Sequence, residues 1–533
     1  MKSLSRILFK TNEMNAKLSL YLLPMAGLAV PAAARTDVAS TPERPDIIFI
    51  LADDMGYGDV SCLNPDSRIR TENIDAMARN GVIFSDAHSS SAVSTPSRYS
   101  VMTGRYNWRS WLPSKVLHGY SPNLIEPERS TMASILKECG YHTACVGKWH
   151  LGWNWGLKEG QERPLGHVDL DPSAIDFSRP VTEGPNDLGF DYFYGIAASL
   201  DMPPYVFIEN RLAVNPSLEA APGNRKPAFW RRGLQDRNFS QYRCLTDLSE
   251  KALQYIASQE GSDSPFFLYL PLPAPHTPIV PTEEFIGRSG IGPYGDYALM
   301  VDDIVGQIRQ LLREQGRLDN SIIVFSTDNG CSPAADLPAL NGAGHYPSYI
   351  FRGYKADLFE GGHRVPTIVE WSGADQGKVC DQTICLSDFV ATFAALNGYR
   401  LRDDEAEDSF NLLPLLRDAS CRKTVREAIV HHSVNGSFSI RKGDWKLLCT
   451  PDSGGWSWPR PGQDDEEIRN LPPVQLYNLK EDPEEQQNCS AGHPALVKRL
   501  VKLLDSYIRN GRSTPGRPQP NDREIPLMTD LSY

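Results

Sequence analysis

A serine and an arginine stand one helical turn apart in a stretch of the chain that is suited to binding an anion. Residues 91–104 hold Ser94 two positions before Pro96, and Arg98 follows. Because proline favours the first turn of a helix, Ser94 is predicted to lie at a helix N-terminus, where free backbone N–H groups and the helix dipole favour an anion. A hydroxyl, a fixed cation and a helix N-terminus suit attack on an anionic ester. An ordinary helix start with a good cap is the alternative interpretation.

Two acidic clusters follow predicted strands that are far apart in the sequence. Asp53 and Asp54 come after the apolar run 46–51, and Asp328 and Asn329 come after the run 321–326. Carboxylate and amide oxygens are the ligands that Ca²⁺ and Mg²⁺ prefer, and no thiol or imidazole stands among these four residues. Each acidic residue alone would be explained as a helix cap or a turn residue. Because both clusters follow strands, we predict that they bind one metal ion together.

Two further predicted strands are followed by side chains that could bind anions or transfer protons. Lys148 and His150 follow the strand 143–146, and His276 follows the strand 266–270 between prolines. Sites in open α/β sheets form outside the carboxyl ends of the strands, so these groups are expected to meet at one sheet edge. Lys355, in a glycine-rich stretch, is a further candidate cation. Three other histidines are interpreted as structural residues, namely His118, His142 and His431.

The elements that must position these residues alternate along the chain. Buried strands are predicted over 46–51, 82–84, 143–146, 266–270 and 321–326, and helices over 73–80, 130–139, 241–259 and 296–316. This alternation predicts an α/β fold over residues 43–415, with a large, mainly parallel sheet sandwiched by helices. The stretch 152–240 is rich in Gly, Pro, Trp and Asn and is interpreted as long loops over the site.

The pattern changes after the acidic run 403–408, which is a candidate boundary region. A hairpin over 438–448, a strand over 475–479 and a terminal helix over 494–508 predict a small α+β subdomain with an antiparallel sheet over 416–533. Cys380 and Cys385 stand close enough to pair in an oxidising compartment, although buried free thiols explain them equally well.

The N-terminus has the features of a secretion signal. Lysines and one arginine precede an apolar run over 18–30, and small residues at 32–34 offer a cleavage site, so residues 1–34 are predicted to be removed during export to the periplasm or beyond. No later apolar run is long enough for a membrane span. The formal net charge of −12 argues against a general nucleic-acid binder.

Taken together, the motifs resemble those of the type I sulfatases, the formylglycine-dependent enzymes of the alkaline phosphatase-like superfamily. The family signature, Cys or Ser followed by x-Pro-x-Arg and then Thr-Gly, stands here at 94–104. Further family motifs are matched in order at 53–59, 147–150, 275–278, 328–330 and 355–362. The chain has Ser94 in place of the commoner cysteine, which is the variant associated with bacteria that use an oxygen-independent maturation enzyme.

The resemblance implies a set of roles for residues already singled out. A maturation enzyme would oxidise Ser94 to formylglycine (3-oxoalanine), whose hydrate attacks sulfur. One Ca²⁺ ion would be held by Asp53, Asp54, residue 94, Asp328 and Asn329. The implied catalytic roles are that Arg98 steadies the hydrate, that Lys148 and Lys355 bind sulfate oxygens, that His276 protonates the leaving oxygen, and that His150 acts as base.

The implied substrate is a sulfated carbohydrate, with galactose or N-acetylgalactosamine sulfates of host or algal glycans as the first expectation. The polar residues predicted to read the sugar hydroxyls are Asp201, Glu209, His345, Arg352, His363 and Arg364. Aromatic residues of the long loops could stack on sugar rings or pack the loops themselves; these are Trp153, Trp155, Tyr192, Tyr205 and Trp230.

Two other functions fit parts of the same pattern. A phosphomonoester, phosphodiester or phosphonate hydrolase of the superfamily would use related motifs, but such enzymes commonly hold two metals with more histidine ligands. A glycan-binding relative without activity would be supported by a serine that stays unconverted at position 94.

Overall fold

The first strand of the chain, β1 (Asp46–Asp53), lies in the middle of a ten-stranded sheet. The computed structural model describes residues 44–226, 228–463 and 466–530, so the predicted signal segment lies outside the described residues. Successive side chains of a strand point to opposite faces, and Phe49 accordingly packs in the core on one face while Ile50 packs in the core on the other. Burial on both faces explains the continuous apolar run.

The predicted strands and helices are confirmed close to their expected positions, and the structure adds further short elements that were not predicted. The strands are β1 Asp46–Asp53, β2 Gly81–Phe84, β3 Ala87–His88, β4 His142–Lys148, β5 Tyr192–Ile196, β6 Ile208–Glu209, β7 Leu212–Ala213, β8 Leu218–Ala221, β9 Gly233–Asp236, β10 Phe266–Pro275, β11 Ser321–Thr327, β12 Thr367–Trp371, β13 Lys378–Cys380, β14 Ile384–Cys385, β15 Ile429–His432, β16 Phe438–Lys442, β17 Trp445–Leu448 and β18 Gln475–Asn478. The α-helices are α1 Glu72–Arg79, α2 Ser94–Thr103, α3 Met132–Glu138, α4 Cys244–Ser258, α5 Pro293–Glu314, α6 Leu337–Gly342, α7 Glu360–His363, α8 Asp388–Leu396, α9 Leu413–Arg417, α10 Glu466–Arg469 and α11 Pro494–Asn510.

The large sheet has the strand order β13-β2-β12-β11-β1-β10-β4-β5-β6-β7. Its central pairs are parallel: β1 lies between β10 and β11, and β4 lies between β10 and β5. Strand β12 runs antiparallel to both of its neighbours, and the edge strands β6 and β7 are also antiparallel. The sheet is therefore mixed and mainly parallel, as predicted.

Helices cover both faces of this sheet. On one face, α1, α4 and α5 contribute apolar residues such as Leu248 and Val301 to the core with Ile50. On the other face, α2, α3 and α8 contribute residues such as Leu136 and Phe389 to the core with Phe49. Within the described residues, no helix combines the length and the apolar character that crossing a membrane requires.

A separate four-stranded antiparallel sheet follows in the order β15-β16-β17-β18, and α11 packs on it through Leu504 and Ile508. This is the predicted small antiparallel sheet; the limits 43–415 and 416–533 of the two domains stay a prediction. Cys380 and Cys385 are both buried free thiols, which is the second of the two alternatives for this pair.

The stretch 152–240 is more structured than predicted. Strand β5 extends the large sheet beside β4, and β8 with β9 forms a separate hairpin. These strands are two to five residues long, too short for an alternating pattern to stand out in a Gly- and Pro-rich sequence. Trp153 and Trp155 are buried against each other, edge to face, so they pack the loops and offer no face to a sugar.

Candidate active site

The ends of the parallel strands bring the predicted site residues together at one edge of the sheet. Asp53 is the last residue of β1, Lys148 is the last residue of β4, and Asp328 directly follows β11. His276 directly follows β10, which pairs with β1 as far as Asp53. Side chains from four distant parts of the sequence therefore surround one position, as expected for a parallel sheet.

Ser94 lies at the start of α2 and faces this sheet edge. Its hydroxyl donates to Asp53 Oδ1 at 3.3 Å and accepts from Lys148 Nζ at 3.2 Å. Lys148 Nζ also contacts Asp53 Oδ2 at 2.6 Å. The helix begins at Ser94 because Pro96 fits the first turn. Proline has no backbone N–H, and an N–H in the first turn would have no partner within the helix. Residue 94 is thus held between a carboxylate and a cation.

Arg98 lies one turn further along the helix and is fully buried. Its guanidinium contacts Asp328 Oδ2 at 2.7 Å and Asp53 Oδ1 at 3.5 Å. Burial opposes the charge on Arg98, but the two carboxylates outweigh it and raise the pKa of the guanidinium. Arg98 therefore stays charged and links the carboxylates of β1 and β11.

A second set of contacts surrounds Asp54, which adopts a positive φ of 65° and so turns away from Asp53. Lys355 Nζ contacts Asp54 Oδ1 at 2.7 Å, and Asn329 Nδ2 donates to the same oxygen at 2.7 Å. His276 Nε2 lies 3.6 Å from Asp54 Oδ2. The Asp54 N–H donates to Asp328 Oδ1 at 3.2 Å, and this bond connects the set around Asp54 to the set around Asp53. His276 and Lys355 each keep 7% of their surface exposed, which leaves the site open to solvent on their side.

His150 is anchored beside this group by the backbone. Its Nε2 lies 2.8 Å from the carbonyl oxygen of Leu117, so Nε2 carries the proton and donates, and Nδ1 is buried without a partner. Burial, together with the nearby charges of Lys148 and Arg98, holds the pKa of His150 well below its usual range. The imidazole is therefore neutral and presents an unprotonated Nδ1.

The charges of the site shift one another in opposite directions. Burial opposes ionisation of Asp53, but Lys148, His276 and Arg98 outweigh it, and the pKa of Asp53 lies well below its usual value. For Lys148 the effect of burial is larger than the effect of the contact with Asp53, so the pKa of Lys148 is lowered. The pKa of Lys355 is raised because Asp54 and Asp53 together overcome burial. Lys355 thus holds its proton more firmly than Lys148 does.

Comparison with known proteins identifies the family. The family model described as Sulfatase matches residues 45–399, which is most of the chain. The chain belongs to the sulfatase family. Membership makes it a sulfuric ester hydrolase, and the match spans all the strands whose ends form the site.

Individual relatives cover nearly the whole of this sulfatase. An N-acetylgalactosamine-6-O-sulfatase of Bacteroides thetaiotaomicron is 33% identical over 512 residues, which cover 88% of this chain and 94% of that protein. The N-acetylgalactosamine-6-sulfatase of Mus musculus is 28% identical, with 93% of this chain and 91% of that protein covered. A solved structure labelled 6S-sulf, from work on glycosaminoglycan metabolism by Bacteroides thetaiotaomicron, has a TM-score of 0.75 and 32% identity over 87% of this chain and 99% of that chain.

The donor atoms at the sheet edge fit a hard cation. Asn329 Oδ1 is buried and has no partner, because the amide nitrogen of Asn329 makes the contacts to Asp54 and to the Gly330 carbonyl. A buried amide oxygen without a donor is explained when a cation uses it as a ligand. The Asn329 amide bonds Asp54, Asp54 bonds Asp328, and carboxylate oxygens of Asp53 and Asp54 lie within 4.8 Å of each other, so the chemistry of the set suits Ca²⁺ or Mg²⁺.

Four residues predicted to bind substrate make other contacts. Both ring nitrogens of His345 are engaged, Nε2 with Asp59 Oδ1 at 2.7 Å and Nδ1 with the Arg68 N–H at 3.3 Å. Arg352 lies over the ring of Phe359 and donates to a backbone carbonyl. His363 and Arg364 lie in a different cluster, beneath the small sheet. Their substrate role stays a prediction that these contacts do not favour.

Asp201 has a partner that the sequence does not predict. Arg231 donates to Asp201 Oδ2, whereas Asp201 Oδ1 is buried without a partner. Thr277, next to His276, contacts the carbonyl of Phe229 two residues before Arg231, so this pair borders the site. No motif marks Arg231 in the sequence, and the carbonyl of Leu117 that orients His150 leaves no signal in side-chain types.

Proposed function

We propose that this sulfatase hydrolyses 6-O-sulfate esters of N-acetylgalactosamine- or galactose-type sugars in glycans, after export to the periplasm or the cell exterior. The observation that carries the proposal is the position of Ser94, whose hydroxyl lies between Asp53 and Lys148 at the edge where the acidic clusters meet. The sugar and the 6-position are inferred from the relatives named above, of which two are N-acetylgalactosamine-6-sulfatases.

The proposal includes two groups that complete the site. Oxidation of Ser94 by a maturation enzyme would supply an aldehyde hydrate, and this hydrate would provide the attacking hydroxyl. A Ca²⁺ ion bound by Asp53, Asp54, Asp328, Asn329 and residue 94 would supply Lewis-acid stabilisation of negative charge on the sulfate.

The cations of the chain prepare the site for the sulfate group. Lys148 and Lys355 border residue 94 and Asp54 from two sides, so both can donate hydrogen bonds to sulfate oxygens. Arg98 is bonded to Asp328 and fixes the orientation of that carboxylate. Such preorganised charges stabilise the charge that develops in the transition state without having to reorganise.

Two histidines are assigned opposite proton transfers. His276 Nδ1 lies 2.6 Å from the carbonyl oxygen of Thr277, which fixes that nitrogen as a donor and leaves Nε2 at the sheet edge. Nε2 of His276 is therefore the atom that would protonate the leaving sugar oxygen. His150 is held neutral with Nδ1 unprotonated, so Nδ1 is the atom that would accept a proton from residue 94.

Defined sugar sulfates test the activity and mass spectrometry tests the maturation. The protein is purified from a host with an oxygen-independent maturation system, and the peptide containing residue 94 is measured. Oxidation makes it about two mass units lighter than the serine form, or about sixteen heavier when hydrated. The oxidised protein is expected to release sulfate from 6-O-sulfated N-acetylgalactosamine faster than from the 4-O-sulfated sugar.

Each alternative function has its own outcome in this experiment. Hydrolysis of a phosphomonoester, a phosphodiester or a phosphonate ester, followed by release of the alcohol, at a higher kcat/KM than hydrolysis of any sugar sulfate would contradict the proposal in favour of a phosphoryl-group hydrolase. Unmodified serine throughout, with glycan binding but no sulfate release, would instead indicate an inactive relative.

The pair formed by Asp201 and Arg231 is proposed to read the sugar. A buried carboxylate oxygen without a donor is suited to accept a hydrogen bond from a sugar hydroxyl, and loss of it leaves that hydroxyl unpaired. Asp201→Asn is therefore expected to lower kcat/KM for the sugar sulfate about tenfold or more while changing hydrolysis of an aryl sulfate little. Equal losses on both substrates would contradict a role in reading the sugar.

A further inference from the structure

Three histidines meet beneath the small sheet, in a part of the molecule that the proposed reaction does not use. His88 ends β3, His363 ends α7 and His431 lies on β15. All three are completely buried, and their ring centroids lie 3.7 Å apart for His363 and His431, 5.0 Å for His88 and His431, and 5.2 Å for His88 and His363. These residues are called the histidine cluster below.

Each ring has one nitrogen bound to an oxygen on the outside of the cluster. His88 Nε2 lies 2.9 Å from Asp86 Oδ1, and His363 Nε2 lies 2.9 Å from the carbonyl oxygen of Leu358. His431 Nδ1 lies 3.2 Å from the hydroxyl of Ser439. The Asp86 carboxylate and the Leu358 carbonyl can only accept, and at 2.9 Å they are the nearer partners, so we assign the protons of His88 and His363 to Nε2. The donors Arg441 Nη1, at 3.3 Å from His88 Nε2, and Lys446 Nζ, at 3.1 Å from His363 Nε2, lie farther away.

The inner nitrogens of the histidine cluster are then left without protons. His88 Nδ1 and His363 Nδ1 face each other at 3.0 Å, which brings two lone pairs together. His431 Nε2 is buried and has no partner. Two unprotonated nitrogens at hydrogen-bond distance repel each other unless a proton or a metal ion lies between them.

The surroundings disfavour an extra proton. Burial lowers the pKa of all three imidazoles, and for His363 and His431 the positive charges nearby add to that effect. Lys446 Nζ, 3.1 Å from His363 Nε2, already has two carboxylate partners, Glu360 at 2.9 Å and Glu485 at 2.8 Å. The lysine brings a positive charge next to His363, so the cluster does not readily take up a proton.

We propose that the histidine cluster is a second metal site, which binds a zinc ion through His88 Nδ1, His363 Nδ1 and His431 Nε2. Imidazole nitrogens suit Zn²⁺, whereas the carboxylates of the active site suit Ca²⁺. The outer bonds to Asp86, to the Leu358 carbonyl and to Ser439 are those with which ligand histidines are normally oriented. Because the rings of His363 and His431 are nearly parallel, at 13°, the His431 ring must tilt for its lone pair to reach the ion.

The position of the site indicates a structural role. His88 and His363 belong to the part of the chain that carries the large sheet, and His431 belongs to the small sheet, so one ion would hold the two parts together. A polar cavity of about 220 Å³, lined by Asp86 and Arg441 among others, borders the cluster on the side of Asp86.

Metal analysis of the full-length protein tests the proposal without reference to activity. The purified protein is stripped of metal with a chelator, incubated with Zn²⁺ in the presence of excess Ca²⁺, and desalted. Its zinc content is then measured by inductively coupled plasma mass spectrometry. We expect one zinc per chain in the wild type and in Asp328→Asn, which alters only the active-site ligands. His363→Gln is expected to weaken zinc binding at least tenfold.

His432 provides the matched control, because it neighbours His431 on the same buried strand and contributes to no ligand set described here. His432→Gln should retain the zinc, and equal loss in His432→Gln and His363→Gln would overturn the proposal. If His363→Gln fails to fold, Co²⁺ is added to the metal-stripped wild-type protein and its visible absorption spectrum is recorded. A spectrum typical of tetrahedral nitrogen ligation supports the site. A featureless octahedral spectrum, or wild-type protein with no zinc, overturns it.

Discussion

Two buried clusters of the molecule have the same balance of carboxylates and cations but different chemistry. The proposed catalytic cluster, for brevity the catalytic cluster, combines three carboxylates with three cations, namely Asp53, Asp54, Asp328, Arg98, Lys148 and Lys355. The inner cluster does the same beneath the small sheet, with Asp86, Glu360, Glu485, Arg364, Arg441 and Lys446 around the histidine cluster. Charge balance explains why both can be buried, and so it does not by itself identify an active site.

What distinguishes the clusters is their place in the fold and the atoms that they leave without partners. The catalytic cluster lies at the carboxyl ends of parallel strands, and Asn329 Oδ1 and His150 Nδ1 are buried there without hydrogen-bond partners. The inner cluster is closed over by the small sheet and presents imidazole nitrogens. Substitutions in the first are therefore expected to change activity, and substitutions in the second to change stability.

The largest expected effect is on activity, at residue 94. Ser94→Ala removes the group that the maturation enzyme would oxidise, and loss of a nucleophile typically lowers kcat about 10⁵- to 10⁶-fold, or roughly 7–8 kcal/mol. Sulfate release from the sugar substrate under single-turnover conditions measures this loss. Ser97→Ala is the control, because Ser97 is a buried serine on the same helix that bonds the carbonyl of Ser91. Comparable losses in both variants would contradict a special role for residue 94.

The next effect depends on the leaving group. His276→Gln is expected to lower kcat about 10²- to 10⁴-fold for a sugar sulfate, whose leaving oxygen needs a proton. For an aryl sulfate with an acidic phenol the same variant should lose far less, because the phenolate leaves unprotonated. Rates for the two substrates with wild type and variant measure the difference. An equal loss on both would mean that His276 serves binding and not proton transfer.

The sequence predicted the catalytic cluster more fully than the inner one, for a physical reason. Residues such as Asp53 and Lys148 follow apolar strands directly, and parallel strands bring their ends to one edge, so local patterns suffice. The inner cluster joins β3, α7 and the small sheet, whose relative positions no local pattern encodes. The sequence accordingly predicts a structural role for His431 and a sugar contact for His363. Strand β5 was missed because its surroundings lack an alternating pattern.

Loss of a cation from the inner cluster is expected to lower the stability of the fold. Lys446→Met leaves Glu360 and Glu485 buried without their shared cation, and breaking a buried ion pair in this way typically costs about 3–5 kcal/mol. Urea unfolding measures the loss, and kcat of the folded protein should change little. Lys442→Met, on the same hairpin, breaks an exposed pair with Glu427 and should cost under about 1 kcal/mol. Similar losses in the two variants would contradict the contrast between the clusters.

The smallest expected effect is on the pH dependence of stability, and it concerns His432 at the edge of the inner cluster. Burial lowers the pKa of His432 to about 3, from 6.5. The unfolded chain takes up a proton below pH 6.5 and the folded chain does not, so stability from this group is present above pH 6.5 and is lost as the pH falls toward 3. Between pH 7 and pH 5 the loss is about 2 kcal/mol. Urea unfolding of His432→Phe at the two pH values should lack that loss of stability. His118→Gln is the control, because His118 is an exposed histidine, and it should retain the loss. An unchanged pH dependence in His432→Phe would mean that the folded state accommodates the proton.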